Sequence, residues 1–197
     1  MKLKNRLTKE EFESEFLKGE WYKSQYDPVR NQYSPTIDNP DLQNPKHNQV
    51  INQLLWAFRK PLLEKIPTNI EWWEADLEDK DFENALIIRE TDWENTFGNL
   101  KRIKDVSKAI SEGIEDKGVG FTMIREIQKN IGTHPFSERI IMISESGSST
   151  PSIIEGNHRV LAFQLELIEN GTSLHIPKTA IIGTSPNIRI CPWWNWL

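Results

Sequence analysis

The feature that most constrains the fold of this chain is a change of hydrophobic period between residues 139 and 183. Arg139 to Ser144 is β-branched and apolar and reads as a strand, and Ser146 to Thr150 supplies a hairpin-type loop into a second short strand, Ser152 to Ile154. Glu155-Gly156-Asn157 then makes a tight turn, and the period becomes helical. Val160, Phe163, Leu167 and Ile168 share one side of a helix over His158 to Glu169, with Asn170-Gly171 as its stop. Ile176 to Gly183 is the last clear strand. Strand, turn, strand, helix, strand predicts an α+β domain.

The first half is punctuated differently. Before Gly98 the only glycine is Gly19, whereas six of the 11 prolines precede residue 68. Thr8 and Glu11 form a capping-box pattern ahead of Phe12, Phe16 and Leu17, and Gly19 is placed to end that short helix. Trp21 to Pro45 is polar, proline-punctuated and studded with Trp21, Tyr22, Tyr26 and Tyr33, which predicts an extended arm laid over a surface. Asn44-Pro45 opens a helix with Val50, Ile51, Leu54, Leu55 and Phe58 on one face. Ile70 to Leu77 and Ala85 to Arg89 read as short strands. Asp105 and Thr122 are placed to open two further helices, over Val106 to Ile114 and Ile124 to Ile131. Residues 1–68 are thus expected to form a helical and extended arm on a domain spanning 69–197.

With 197 residues and 37% hydrophobic content, the chain can bury one core. Its net charge of −5 disfavours an electrostatic nucleic-acid binder without excluding one. The average conceals an acidic stretch, because residues 64–94 hold eleven carboxylates against Lys65, Lys80 and Arg89. The longest apolar run, Leu54 to Phe58, is far short of a membrane span, and Met1 to Leu7 holds no signal-peptide core, so no membrane association and a cytoplasmic location are expected. Cys191, the one cysteine, permits neither an internal disulfide nor a cysteine metal cluster.

The chemistry concentrates at residues 153–162. A strand running through a glycine turn into a helix aims free backbone N–H groups and the positive end of the helix dipole at whatever sits above the turn. Gly156 lets the backbone approach a phosphate closely, and His158 and Arg159 add donors and charge. The plainer alternative makes His158 and Arg159 a solvated first turn, with Glu155 a favourable charge beside it.

Glu155-Gly156-Asn157-His158-Arg159, followed by Ala162, resembles the D/E-G-x-H-R-x-x-A box of the ParB/sulfiredoxin-like superfamily, and the elements of residues 85–184 are in keeping with it. The resemblance implies a small mixed sheet flanked by helices. It also implies that Glu155, Gly156, Asn157, His158 and Arg159 bind the phosphates of ATP, ADP or CTP. Sulfiredoxin chemistry needs a cysteine where this chain has Asn157, and the 28 residues after Glu169 are too few for the DNA-reading and dimerisation modules of a partition protein.

The kinase and nucleotide-hydrolase branch remains, which implies a Mg²⁺-dependent phosphotransferase or hydrolase acting on an unknown small-molecule acceptor. In free-serine kinases of this superfamily a glutamate follows the first core strand. The matching place here offers Glu90, Asp92 and Glu94, with Glu90 the first choice and Asp92 the second as base or metal ligand. His158 completes the expected catalytic set, and Asp92 with Glu155 the expected metal ligands.

Two readings from other classes stand beside this one. One is a nucleotide-gated, DNA-associated protein or nuclease; the other is a non-catalytic module that binds a protein partner through its tryptophan-rich ends. Of the remaining features, His134-Pro135-Phe136 reads as a fixed turn or a substrate contact. The run Pro192 to Trp196 is expected to dock on the core, and pleat alternation at Trp72 and Trp73 to bury one ring and leave the other near the site.

Overall fold

A computed structural model of the protein describes residues 1–131, 139–147, 150–171 and 179–195. Among the described residues, five strands form one open mixed sheet in the order β1-β2-β5-β3-β4, flanked by helices, an α+β fold. The strands are β1 (Lys2–Leu7), β2 (Glu71–Asp76), β3 (Ile140–Ser144), β4 (Ser152–Glu155) and β5 (Thr179–Thr184). β3 and β5 pair in parallel, and the other neighbours are antiparallel. Every residue of β3 is buried, as a central strand next to a parallel partner requires. His134, Pro135, Phe136 and Trp196 lie outside the described residues.

The amphipathic helices form close to where their periodicity placed them, although Ile114 falls beyond its helix and Thr122 lies inside a first turn with Gly120 at the N-cap position. α1 (Lys9–Glu20) carries the full capping box, with Glu11 N–H donating to Thr8 Oγ1 at 3.1 Å and Thr8 N–H to Glu11 at 2.7 Å. α3 (Pro45–Leu63) starts at Asn44, whose side chain accepts from Lys46 N–H. α6 (Ile103–Ser111) and α7 (Phe121–Asn130) pack on α8 (Asn157–Asn170), and α1 packs on α3. α6 begins two residues ahead of Asp105, which falls in its first turn rather than at its cap.

Three expectations are corrected. Residues 21–45 are largely helical, not extended: a 3₁₀ turn at Ser24–Tyr26 leads into α2 (Asp27–Asp38). Pro28 lies in the first turn of α2, where a missing N–H costs no hydrogen bond, so this proline starts a helix instead of preventing one. Trp21 and Tyr26 turn inward, and Tyr26 is fully buried between Trp21 and Phe58, at ring centroid distances of 5.1 and 4.9 Å.

The second concerns the start of the chain, where a strand precedes the expected helix. β1 completes the sheet edge beside β2, and Phe12 of α1 stacks on Trp72 at 3.6 Å, so both belong to the common core. Trp72 is the buried member of the Trp72-Trp73 pair.

The third concerns Ala85 to Arg89, where only isolated bridges of Leu86 to Arg102 and to Ser152 form. The backbone is extended and bonded on both sides, but its partners change along its length. Leu86 bonds with Pro151 and Ile153, Ile87 with Lys101, and Ile88 with a side chain. The acids after it are helical: α4 (Asp79–Asn84) precedes the segment, and α5 (Thr91–Phe97) follows with Glu90 at its N-cap position and Asp92 and Glu94 in its first turn, the end of a helix that favours negative charge.

The tail docks as expected as far as it is described. Trp194 is buried, Trp193 Nε1 donates to the Leu62 carbonyl at 3.3 Å, and Asn195 N–H donates to Ser152 Oγ at 2.8 Å.

Candidate functional site

β4 ends at Glu155 and α8 begins at Asn157, with Gly156 between them at φ 95°, a left-handed conformation that suits glycine. The N–H groups of Asn157, His158 and Arg159 belong to the first turn of α8 and so have no partner within the helix. This turn forms one wall of a cleft of about 90 Å³. Ile88 and Glu90 come from the extended segment, and Trp93 from α5. The opposite wall is supplied by the N-terminal region: Phe16 and Glu20 of α1, Tyr22, Lys23, and Arg59 and Leu62 of α3.

The side chains of the turn build the site. Asn157 is buried and bonds in two directions: its Oδ1 accepts from Ile88 N–H at 3.0 Å, and its Nδ2 donates to the Ile153 carbonyl at 3.1 Å. It therefore ties the segment leading to Glu90 to the start of α8. Arg159 turns back one helical turn onto Glu155, and both are buried. Burial pushes the Glu155 carboxyl above its ordinary range, against the pull of Arg159. The backbone of Gly19 lies against this carboxylate, where a Cβ would come within 2.9 Å of its Cδ. Gly19 therefore sits inside α1, rather than ending it, as the residue that lets the helix close over Glu155.

His158 is held by a loop of its own. Asp116 accepts backbone N–H groups from Gly118, Val119, Gly120 and Phe121 at 2.6–3.2 Å, organising the approach to α7. That leaves the Val119 carbonyl to accept from His158 Nε2 at 2.7 Å. Trp93 packs on the imidazole at a centroid distance of 5.5 Å. Burial lowers the His158 pKa below its ordinary 6.5, so at neutral pH the ring is uncharged, with its proton on Nε2.

The structure therefore brings Glu90, Glu155, Gly156, Asn157, His158 and Arg159 to one cleft. Asp92 does not line it; it is exposed and lies against Gly118. Burial raises the Glu90 carboxyl, while Arg59 and Lys23 draw it down. Trp93 lines the cleft, and neither Trp72 nor Trp73 does. Sequence reasoning missed Glu20, Lys23 and Arg59. Glu20 binds Arg59 and, at 2.7 Å, Lys23 Nζ, in an ion cluster whose carboxylate is buried and whose cations are partly exposed. Nothing local could have revealed it, since these residues lie about a hundred positions or more from Glu155. Among the described residues, no group of three or more His, Cys, Asp or Glu side chains is placed to hold a metal ion.

No protein-family model matches the chain, and no curated protein or solved structure matches it significantly. Among the described residues, no helix is long and apolar enough to cross a membrane.

Two outcomes follow from the site's construction. Asn157→Ala leaves the Ile88 N–H and the Ile153 carbonyl without these buried partners and is expected to cost about 2–4 kcal/mol in urea unfolding; a loss below about 0.5 kcal/mol would contradict the bridging role. For His158, the unfolded chain takes a proton near pH 6.5 that the native ring refuses until lower pH, so stability falls as pH drops through that interval. His158→Gln should flatten this part of a stability–pH curve, and an unchanged slope would show the ring to be solvated.

Proposed function

We propose that the chain is a nucleotide-binding enzyme, a phosphotransferase or nucleotide hydrolase that holds phosphates at the Gly156 turn. The observation that carries this reading is convergence: the left-handed turn and the first-turn N–H groups of α8 open on the same cleft as Glu90, Lys23 and Arg59. The similarity of Glu155-Gly156-Asn157-His158-Arg159 and Ala162 to the ParB/sulfiredoxin-like box supports it. So does the helix–strand–strand–helix–strand order around that run.

The cleft sets how the ligand would sit. At about 90 Å³ it is well below the ~300 Å³ or more of a pocket that encloses a whole small molecule, so it receives a phosphate group while the nucleoside of ATP, ADP or CTP lies outside it. Tyr22, 53% exposed, stands at that rim. Asn157, His158 and Arg159 contribute mainly through backbone N–H groups, because their side chains are engaged in building the turn.

Glu90 is the general base of this reading. It lines the cleft, none of the described residues forms a salt bridge with it, and a carboxyl raised by burial is the better proton acceptor. Mg²⁺ would arrive with the nucleotide phosphates, as is usual for that ion. Asp92 and Glu155 do not form a site for it, since Asp92 is outside the cleft and Glu155 is held by Arg159.

The test is a thermal-shift panel of ATP, ADP, CTP and GTP with and without Mg²⁺, followed by phosphate-release or transfer assays. A ligand at a hundred times its Kd is expected to raise Tm by about 5–10 °C. Glu90→Gln should lower turnover by roughly 100-fold or more while leaving that shift in place. No shift with any nucleotide would overturn the proposal.

A further inference from the structure

We propose that Lys23 and Arg59 are the side chains that bind the ligand's phosphate, and that Glu20 is an internal anion which the phosphate displaces. This rests on the phosphate-binding reading of the cleft and adds to it a function for the N-terminal region. Glu20 is the last residue of α1, the end of a helix where the dipole disfavours a carboxylate. It is nevertheless only 3% exposed. Arg59 grips it through two nitrogens, with Nε donating at 2.8 Å, and Lys23 Nζ donates to its other oxygen at 2.7 Å.

Burying the Glu20 carboxylate is costly, and an apolar residue at position 20 would pack at lower cost. The arrangement makes sense if the cations are needed and the carboxylate keeps them in place. Both Arg59 nitrogens converge on one carboxylate oxygen while Lys23 takes the other, and two phosphate oxygens can occupy the same places, so one anion can replace the other without rebuilding the cleft. The backbone is braced for such an exchange. Arg30 donates to the carbonyls of Trp21 and Lys23, at 2.9 Å to each, which fixes the chain around Lys23 independently of Glu20.

Charge balance gives Glu20 its consequence. The cleft holds the carboxylates of Glu20, Glu90 and Glu155 against Lys23, Arg59 and Arg159, with His158 neutral. Three charges of each sign leave no net attraction for an anion. Once Glu20 leaves the two cations, the remaining groups are positive by one charge and face the start of α8.

The experiment is calorimetric titration of the full chain with ATP and, in parallel, inorganic triphosphate at fixed ionic strength, using the native protein, Glu20→Gln, Lys23→Met and Arg59→Met. Circular dichroism checks folding, and Arg59→Lys serves as a second variant should Arg59→Met fold poorly. Opposite signs are expected: Glu20→Gln tightens binding by roughly five-fold or more, and loss of either cation weakens it by roughly ten-fold. A merely structural cluster would weaken binding in all three. If native protein binds ATP but Glu20→Gln binds no tighter, or if both cation variants bind as the native chain does, this inference falls and the phosphate reading stands. If neither probe binds native protein or Glu20→Gln, the phosphate reading itself falls, and the inference with it.

Discussion

The Asn157 carboxamide holds together two parts of the chain that are 69 residues apart in sequence. Its oxygen takes the Ile88 N–H and its nitrogen the Ile153 carbonyl, so the extended segment, the end of β4 and the first turn of α8 become one rigid corner. Glu90 follows Ile88 by two residues and cannot reach the cleft unless that corner holds. Docking of the tail has the same dependence, since Trp193 accepts from Arg89 N–H and Asn195 bonds at Ser152. An amide serves here where a carboxylate would not, because one bond needs an acceptor and the other a donor.

Around that corner the cleft is assembled from charges that neutralise each other in pairs. Arg159 holds Glu155, Arg59 and Lys23 hold Glu20, and α1 is pressed onto Glu155 at Gly19. Pairing makes burial of so many ionised groups tolerable, and it gives up the positive field that would draw an anion in. What remains for a ligand is a small space, the amides of the helix start and a carboxylate in Glu90 that burial has made more basic. In the phosphate-binding reading, the N-terminal region is part of the site rather than an appendage.

Segments whose hydrophobic period agrees with their tertiary setting were legible. The pair Ile51 and Leu55 on the buried face of α3, the β-branched run of β3 and the turn from Glu155 into α8 all specify their elements locally. β1 was not legible, because Lys-Leu-Lys-Asn-Arg-Leu has only two apolar residues and an irregular pairing with β2 between Leu3 and Arg6; neighbouring structure recruits it as an edge strand. Residues 21–45 misled because prolines and aromatics suggest an extended surface arm until Tyr26 is seen buried and Pro28 is seen at a helix start.

At the site, the turn and Glu90 were readable because strand, glycine and helix lie side by side and an acid follows an apolar run. The ion cluster of Glu20, Lys23 and Arg59 was not, since only the packing of α1 on α3 brings it to the turn. Asn157, His158 and Arg159 were identified as polar groups at a helix start, but whether such groups face a ligand or their own scaffold depends on partners such as Ile88 and Val119 that no spacing rule supplies.

The most direct measurement is a nitrogen-15 correlation spectrum of the assigned protein during titration with ATP. A phosphate seated at the α8 turn must move the amide resonances of Gly156, Asn157, His158 and Arg159 more than any others, with those of Lys23 and Glu90 next. Large shifts confined to another face of the sheet, or none at saturating ATP, would contradict a phosphate site at this turn.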